Sequence, residues 1–270
     1  MTHDSLSNLW LATMRSRGLS TRTIDDRRRI LTNFARTLGI KPETAGEDDV
    51  IEWLSRDIAQ SSREHYWSTL RVWFAWLQDR GLIDVSPIAA IRRPRVPPAL
   101  PKPAAKEHIR RVLNSSIRRV TRTKIIMAVY AGMRVSEIAA FRGEYLDQIG
   151  ETIRILGKGG RDDVLPVHRA ILEEASLYPA GYWFPSPGQP DAHVSGNSVS
   201  TVISRAFRRI GVRVTAHQLR HHFATSLLEQ GIDSRIVQTL MRHSSLATTG
   251  RYLKVLERQQ RHSLDTLRLM

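Results

Sequence analysis

The sequence predicts a mainly α-helical protein of two domains, the second of which also contains a small β-hairpin or sheet. Apolar residues recur at the 3.6-residue period of a helix through most of both halves. A proline-rich stretch separates the halves. In the second half, two short apolar runs around a glycine-rich turn interrupt the helical pattern.

The first half, residues 1–92, is predicted to be entirely helical. Ser20 or Thr21 is a plausible N-cap for the second helix, because a hydroxyl there can accept a hydrogen bond from a backbone N–H of the first turn. Aromatic and leucine side chains at helical spacing predict a core face rather than a base-stacking surface. These residues are Tyr66, Leu70, Trp73, Phe74 and Leu77. The predicted helices cover residues 6–18, about 20 onward, 48–54 and 61–78.

A linker is predicted at residues 93–103. The stretch from Arg92 to Pro103 holds five of the chain's 12 prolines. Proline fixes φ and lacks a backbone N–H, so this stretch cannot lie inside a helix or a sheet. It is typical of an extended, semi-rigid and basic connection between two domains.

The second half, residues 104–270, is predicted to be mostly helical. Its β-hairpin is expected to pair Thr152–Leu156 with Asp163–Val167 across the turn Gly157–Gly160. The predicted helices cover residues 106–116, 123–131, 135–141, 168–176, 197–210, 217–230, 233–241 and 245–256.

Charge gives the first indication of a partner. The formal net charge is +15, of which residues 1–103 carry +4 and the remainder +11. An excess of this size favours a polyanionic partner, usually nucleic acid or an acidic membrane surface. In the first half, four arginines off the apolar stripe could touch phosphates, or could simply form a solvated face; they are Arg27, Arg28, Arg63 and Arg71. The second half holds most of the excess.

The composition also narrows the chemistry. The chain has no cysteine, which excludes disulfides, cysteine zinc sites and a cysteine nucleophile. No run approaches the roughly 18 apolar residues of a membrane helix, and the N-terminus lacks a secretion signal. We therefore expect a protein of a reducing cytoplasm with no membrane partner.

Two positions could bind a phosphate or deliver a proton. Arg134 follows Gly132 at the start of a predicted helix, where backbone N–H groups and a guanidinium both favour anions. A surface ion pair with Glu137 is the alternative explanation for this arginine. Lys158 lies in the glycine-rich hairpin turn, from which it can reach a DNA strand. Each motif is weak alone.

A second pair lies further along the chain. His217 and Arg220 are three residues apart, so both project from one face of a helix. His217 and His221 have the i, i+4 spacing of a zinc site, but no Glu lies between them as in the metalloprotease helix. His243 and Tyr252 follow nine residues apart.

Taken together, these residues resemble the tyrosine recombinase (phage integrase) family, in order and spacing, over about 104–256. The first half is similar to the family's core-site-binding domain, which implies a SAM-like four-helix fold. Two departures are Met133 in place of the usual Leu and Arg242 in place of the usual Gly before the histidine. Arg242 could add a phosphate contact or alter the local turn. The family's boxes match Gly132–Glu137, Lys158, His217–His221, His243–Ser245 and Tyr252.

The resemblance implies covalent catalysis on a DNA phosphate. Tyr252 would attack the phosphorus, giving a 3′-phosphotyrosyl link and a free 5′-hydroxyl. A tyrosine has a pKa of about 10 and needs help at neutral pH, which His217 would supply as general base. Lys158 would protonate the departing 5′-oxygen.

The resemblance implies that arginine side chains, rather than a metal ion, neutralise the charge of the phosphate. Arg134 and Arg220 would hold the non-bridging oxygens, and His243 would hydrogen-bond the same phosphate. We therefore expect no metal, no ATP and no cofactor. The phosphotyrosyl link conserves the bond energy that rejoining requires.

The resemblance also implies a clamp around double-stranded DNA and self-association to a tetramer that exchanges strands through a Holliday junction. The tail, residues 257–270, is expected to dock on a neighbouring protomer, with packing in cis as the alternative. Accessory DNA-bending or directionality proteins are further expected partners. The chain begins almost directly with the core-binding helices, so no arm-site domain is expected. A compact phage integrase, a Xer-like resolvase and a transposon or plasmid recombinase all remain open, as does a nucleoid-associated or phage-encoded origin.

Three other functions compete. A type IB topoisomerase-like enzyme shares the tyrosine, arginine and histidine chemistry but relaxes DNA as a monomer without a specific site. A non-enzymatic helix-turn-helix protein would explain the charge and the helices but not the ordered boxes. A metal-dependent nuclease would need an acidic cluster that the sequence lacks.

Overall fold

The protein divides into two compact units, residues 1–98 and 99–270, within the predicted linker. The computed structural model describes residues 3–97, 100–157, 162–178 and 180–242. None of the helices in these ranges combines the length and the apolar character needed to cross a membrane.

Unit 1 contains four α-helices and a short 3₁₀ helix. Ser20 is the N-cap of α2, where its hydroxyl accepts from the Thr23 N–H at 3.2 Å, and Gly39 ends this helix with φ +69°. The predicted order is confirmed, with boundaries within three residues where both ends were predicted. The helices are α1 His3–Ser16, α2 Thr21–Leu38, α3 Glu47–Ser55 and α4 Gln60–Gln78, and the 3₁₀ helix is Pro42–Thr44.

The core of unit 1 is rich in aromatic side chains. Trp10 of α1 meets Trp73 of α4 edge to face at 5.1 Å, and Phe34 of α2 meets Trp53 of α3 in the same way at 5.1 Å. Leu70, Trp73, Phe74 and Leu77 are fully buried and Tyr66 is partly buried. The aromatic stripe of α4 is therefore core, as its period predicts.

The linker region lacks helix and strand at residues 92–97 and 100–105. Its first part is held to unit 1, since Gln60 Nε2 donates to the Arg95 carbonyl at 2.9 Å. Its last part is held to unit 2, since the Ala104 N–H donates to the Gln218 carbonyl at 3.0 Å. Each end is thus tied to its own unit.

Unit 2 contains the helices predicted up to residue 242, with two ends shifted by more than two residues. α5 ends at Leu113 rather than 116, and α6 begins at Arg119 rather than 123, with Arg118 as its N-cap residue. The helices are α5 Lys106–Leu113, α6 Arg119–Tyr130, α7 Val135–Ala139, α8 Arg169–Ala175, α9 Gly196–Arg209, α10 Ala216–Glu229 and α11 Ser234–Leu240.

The predicted hairpin is present, and further β structure was missed. β2 Thr152–Leu156 pairs antiparallel with β3 Asp162–Pro166, one residue earlier than predicted. β1 Leu146–Asp147 adds a third strand beside β2. A second sheet pairs β4 Pro185–Ser186 with β5 Gln189–His193. The prediction of a single β interruption is therefore wrong.

The core of unit 2 is built around α6, which packs against α8, α9 and α10. A smaller apolar cluster joins α10 to α11 through Ala224, Leu228, Val237 and Met241. Met241 is completely buried in it. This cluster fixes the end of α11 against the helix that carries His217 and Arg220.

Candidate active site

The first part of the candidate site is the turn between α6 and α7. Gly132 adopts φ +56°, and a Cβ there would lie 2.4 Å from Cδ1 of Phe223. Both the backbone conformation and the lack of space therefore require glycine. Arg134 follows as the N-cap of α7, as the sequence predicts.

Arg134 is held by Glu137. Its Nη1 lies 2.6 Å from Glu137 Oε1, and its backbone N–H donates to Glu137 Oε2 at 2.7 Å. The Arg134 side chain is 44% exposed whereas that of Glu137 is 5% exposed. The alternative of an ordinary surface pair between Arg134 and Glu137 is therefore wrong for the Glu137 carboxylate, which is buried. The Arg134 guanidinium remains accessible to an anion.

Glu137 is ionised despite its burial. Burial acts to raise the pKa of this carboxyl, but the charge of Arg242 and the hydrogen bonds and charge of Arg134 outweigh it and hold the pKa below its usual value.

The second part of the site is the first turn of α10. Thr215 caps this helix, since its Oγ1 accepts from the Gln218 N–H at 3.3 Å while Gln218 Oε1 accepts from the Thr215 N–H at 2.9 Å. His217 therefore lies beside the unpaired N–H groups of a helix N-terminus, where an anion is favoured. Arg220 follows one turn later.

Arg220 reaches across to both neighbouring segments. Its Nη1 donates to the Gly132 carbonyl and its Nη2 to the Met241 carbonyl. The residue is 4% exposed. Two carbonyls, 88 and 21 residues away along the chain, thus fix the plane of this guanidinium.

The two arginines of the boxes converge on one short segment. Arg134 Nη2 donates to the Arg242 carbonyl at 3.3 Å, and Arg220 donates to the preceding carbonyl, that of Met241. Because consecutive carbonyls accept from them, the two guanidinium groups are neighbours. The structure therefore joins the arginine box, the His-x-x-Arg box and the residue before His243.

The histidines of α10 are held neutral. The rings of His217 and His221 meet edge to face with centroids 4.1 Å apart. Burial, and then the positive charge of Arg220, lowers the pKa of His217, while burial followed by the charges of His217 and Arg220 lowers the pKa of His221 to about 4. Across the described ranges, no group of three or more His, Asp or Glu side chains is placed to hold a metal ion.

Three predicted site residues, Lys158, His243 and Tyr252, lie outside the described residues, as do the helix predicted at 245–256 and the tail 257–270. The strands that flank Lys158 are described and pair up to Leu156 and Asp162.

Comparison with known proteins decides the family. Residues 104–259 match the phage integrase family, a segment that contains every box named above. The chain belongs to the phage integrase family. Tyrosine recombinase XerA of Pyrococcus horikoshii is 31% identical over 191 residues, covering 67% of this chain and 66% of the relative. The chain thus spans about two thirds of the length of XerA in this match.

Solved structures of phage integrases are similar over nearly the whole chain. An integrase from mycobacterium phage Brujita is 35% identical, covers 94% of this chain and 92% of its own, and gives a TM-score of 0.52. A λ integrase dimer bound to a COC′ core site gives a TM-score of 0.76 at 20% identity, covering 92% and 97%. λ integrase is also known as a tetramer bound to a Holliday junction. The predicted family and mainly α fold are confirmed.

In this phage integrase family member, sequence reasoning missed how Arg242 is used. Its side chain is 4% exposed and its Nη2 lies 2.8 Å from Glu137 Oε2. It adopts φ +52°, in the left-handed region that favours glycine. The left-handed conformation suits the usual Gly equally well, so it gives no sign of an altered turn, and the guanidinium faces inward. The replacement of the usual Gly by an arginine was the available signal.

Two arginines of unit 1 that could touch phosphates have different partners in the structure. Arg63 donates to the carbonyls of Leu54 and Arg56 at 2.7 and 3.0 Å, so it ties α4 to the end of α3. Arg28 pairs with Asp25 on the surface at 3.2 Å. Arg63 therefore has a structural role between α3 and α4.

Proposed function

We propose that the chain is a tyrosine-type site-specific DNA recombinase that cleaves and rejoins strands through a 3′-phosphotyrosyl link to Tyr252. The observation that carries this proposal is the convergence of Arg134 and Arg220 on the consecutive carbonyls of Met241 and Arg242. Two fixed positive charges beside a helix N-terminus form a site for one phosphate. Membership of the phage integrase family supplies the chemistry that such a site serves.

In the proposed reaction the phenol oxygen of Tyr252 attacks phosphorus. A bond from this oxygen to phosphorus forms while the bond from phosphorus to the 5′-oxygen breaks. His217 accepts the phenol proton, and Lys158 donates a proton to the departing 5′-oxygen, so a 5′-hydroxyl results. Rejoining is the reverse of these steps and needs no added energy source.

The charge that develops on the phosphate is met by Arg134 and Arg220, with a hydrogen bond from His243. A guanidinium presents two parallel N–H groups, which suits the non-bridging oxygens of a phosphate. The lowered pKa of His217 fits its part, because a general base must be neutral at the start of the reaction.

The two units would divide the work. Residues 1–92 are proposed as the core-site-binding domain, residues 93–103 as the linker, and residues 104–270 as the catalytic domain. The expected assembly is a tetramer on two DNA sites with a Holliday-junction intermediate, which the tetramer of λ integrase supports as a precedent. The tail 257–270 would dock on a neighbouring protomer, and the site of action would be DNA in a bacterial cytoplasm.

The test is covalent trapping on a nicked suicide substrate. A DNA site is first selected by binding from a random-sequence duplex pool and then nicked so that the cleaved fragment diffuses away. The parent chain is expected to form a protein–DNA adduct without added metal, and Tyr252→Phe to form none. Tyr182→Phe, which removes a phenol that lies near Arg142, is the matched control and should form the adduct normally.

Several outcomes would contradict the proposal. An undiminished adduct with Tyr252→Phe would exclude this nucleophile. Relaxation of supercoiled plasmid with no dependence on a DNA site would favour the topoisomerase-like alternative over a site-specific recombinase.

A further inference from the structure

Arg242 occupies a backbone conformation that costs free energy for any residue with a side chain. Its φ is +52°, in the left-handed region, which is unfavourable for an L-residue that has a side chain. Glycine would remove this cost, so a favourable interaction of the arginine side chain must offset it.

The side chain of Arg242 is buried, and both of its Nη atoms are hydrogen-bonded. Nη2 lies 2.8 Å from Glu137 Oε2 and 3.4 Å from the Gly132 carbonyl, while Nη1 donates to the Leu240 carbonyl at 3.0 Å. The side chains of Arg242 and Glu137 are 4% and 5% exposed. This ion pair links segments 105 residues apart.

Glu137 is shared between two arginines. Its Oε1 binds Arg134 Nη1 at 2.6 Å, and its Oε2 binds both Arg242 Nη2 and the Arg134 N–H. Arg134 Nη2 in turn donates to the Arg242 carbonyl at 3.3 Å. Arg134, Glu137 and Arg242 therefore form a closed ring of hydrogen bonds.

The charges of this ring explain what Arg242 contributes. If Glu137 faced Arg134 alone, the two would form a neutral pair, and the carboxylate would compete with a phosphate for Arg134. Because Glu137 faces both Arg134 and Arg242, the three side chains together keep one net positive charge. Because the pair with Arg242 is buried, solvent screens it little. The charge of Arg134, which is 44% exposed, is thus left for an anion.

We propose that Arg242 is a positioning residue for the recombination reaction: it neutralises Glu137 and fixes the Arg242 carbonyl, so that Arg134 is aimed at the scissile phosphate with its charge uncompensated. Arg242 itself does not touch DNA. This inference rests on the proposed function, since it assigns Arg134 to the phosphate.

The test compares Arg242→Gly with Arg242→Gly combined with Glu137→Gln. The single variant suits the left-handed turn but leaves an unneutralised carboxylate beside Arg134. Its single-turnover cleavage of the suicide substrate is expected to fall about 10–100-fold, with DNA affinity nearly unchanged. The double variant removes that carboxylate charge and is expected to recover at least about a third of the lost rate on a logarithmic scale.

The unfolding temperature, measured beside the rescue, distinguishes positioning from a purely structural role. If Arg242 only held the fold together, cleavage would fall and recover in step with the unfolding temperature, because an unpaired buried carboxylate lowers stability and its removal restores it. Parent-like cleavage by Arg242→Gly, or a double variant no faster than the single one, would overturn the inference. Arg142→Gln, which removes an exposed Arg–Glu pair elsewhere in unit 2, is the control and should cleave normally.

Two measurements keep the test decisive. If Arg242→Gly lowers the unfolding temperature strongly, Arg242→Lys and Arg242→Met replace it: the charged variant should cleave at least about tenfold faster than the uncharged one, and equal rates would overturn the inference. Arg134→Ala is measured alongside. If it cleaves normally, the proposed phosphate clamp fails, whereas a failure confined to Arg242 leaves the proposed function intact.

Discussion

Two groups of arginines, one on α2 of unit 1 and one in the candidate site of unit 2, are held in opposite ways. On α2 of unit 1, Arg28 and Arg29 pair with Asp25 and Asp26 of the preceding turn, and their side chains are 47% and 68% exposed. In unit 2, Arg220 is buried and held by carbonyls that lie 88 and 21 residues away. Each guanidinium of the first kind is held by one carboxylate of its own helix, whereas the plane of the Arg220 guanidinium is fixed by two carbonyls from distant segments.

The two kinds of arginine are suited to different properties, DNA affinity and the rate of strand cleavage. An exposed surface arginine can neutralise any nearby phosphate and release its counterions, which adds salt-dependent affinity. A fixed arginine can stabilise charge at one oxygen without reorganising at the moment of reaction. We therefore expect substitutions in the two units to change different measured quantities.

The largest effect is expected at the fixed arginines. Arg134→Ala and Arg220→Ala should each lower single-turnover cleavage by about 10³-fold, because each removes a preorganised charge from the phosphate. DNA affinity should change by only a few-fold, since many other basic residues contribute to it. Gel-shift and suicide-substrate assays on the same samples measure the two quantities, and normal cleavage by either variant would refute the clamp.

The next effect concerns the carbonyl on which the clamp is built. Gly132→Ala should lower the free energy of unfolding by about 2–4 kcal/mol, through the left-handed φ and the clash with Phe223, and should lower cleavage by about 100-fold, because it displaces the carbonyl that orients Arg220. Gly181→Ala is the matched control, because Gly181 also has a positive φ, of +88°, but has open space around its Cβ. It should cost about 1 kcal/mol and leave cleavage intact. Equal losses for both would show that space at Gly132 is unimportant.

A third prediction uses the neutral histidines of α10. The pKa of His221 in the folded chain is about 4, against about 6.5 when unfolded, so the unfolded state binds more protons between these values. Stability from this group is therefore complete above pH 6.5 and lost as the pH falls towards 4, by at most about 3 kcal/mol. Denaturant unfolding from pH 7 to 4 measures it.

The control for the pH series is His221→Phe. This variant keeps a ring against His217 but cannot be protonated, so its stability should fall less over the same range. An identical decline in both proteins would show that other groups, such as Glu137, cause the pH dependence.

The smallest effect is expected at the exposed arginines of α2 in unit 1. Arg28→Ala removes an exposed ion pair and should change the free energy of unfolding by less than about 0.5 kcal/mol. If this side chain meets a phosphate, the slope of log affinity against log salt should fall by about one. Cleavage at saturating DNA should be unchanged. A large loss of cleavage in this variant would contradict the distinction between the exposed arginines of α2 and the arginines of the candidate site.

Much of the fold follows from periodicity alone. The helical period of α4 predicts its buried aromatic residues, and two apolar runs around glycines predict β2 and β3. The hairpin of β4 and β5 could not be predicted, because Pro185–Ser186 and Gln189–His193 are short, mostly exposed and lack alternating apolar residues. The start of α6 was missed because its first turn is basic rather than apolar.

The sequence predicts which side chains form the candidate site but not how they are arranged in space. The boxes name Arg134, His217 and Arg220 directly. The acceptors that hold them are backbone carbonyls of Gly132, Met241 and Arg242, and a carbonyl has no signature in a sequence. Which carbonyls meet these arginines depends on the packing of α10 against α11, a tertiary contact that periodicity does not specify.

A crystal structure of the Tyr252→Phe chain bound to its DNA site would test the phosphate clamp most directly. Arg134 and Arg220 are both expected within about 3 Å of the non-bridging oxygens of one phosphate, with residue 252 of the same or a neighbouring subunit facing its phosphorus. Two guanidiniums on different phosphates, or residue 252 out of reach from every subunit, would contradict it.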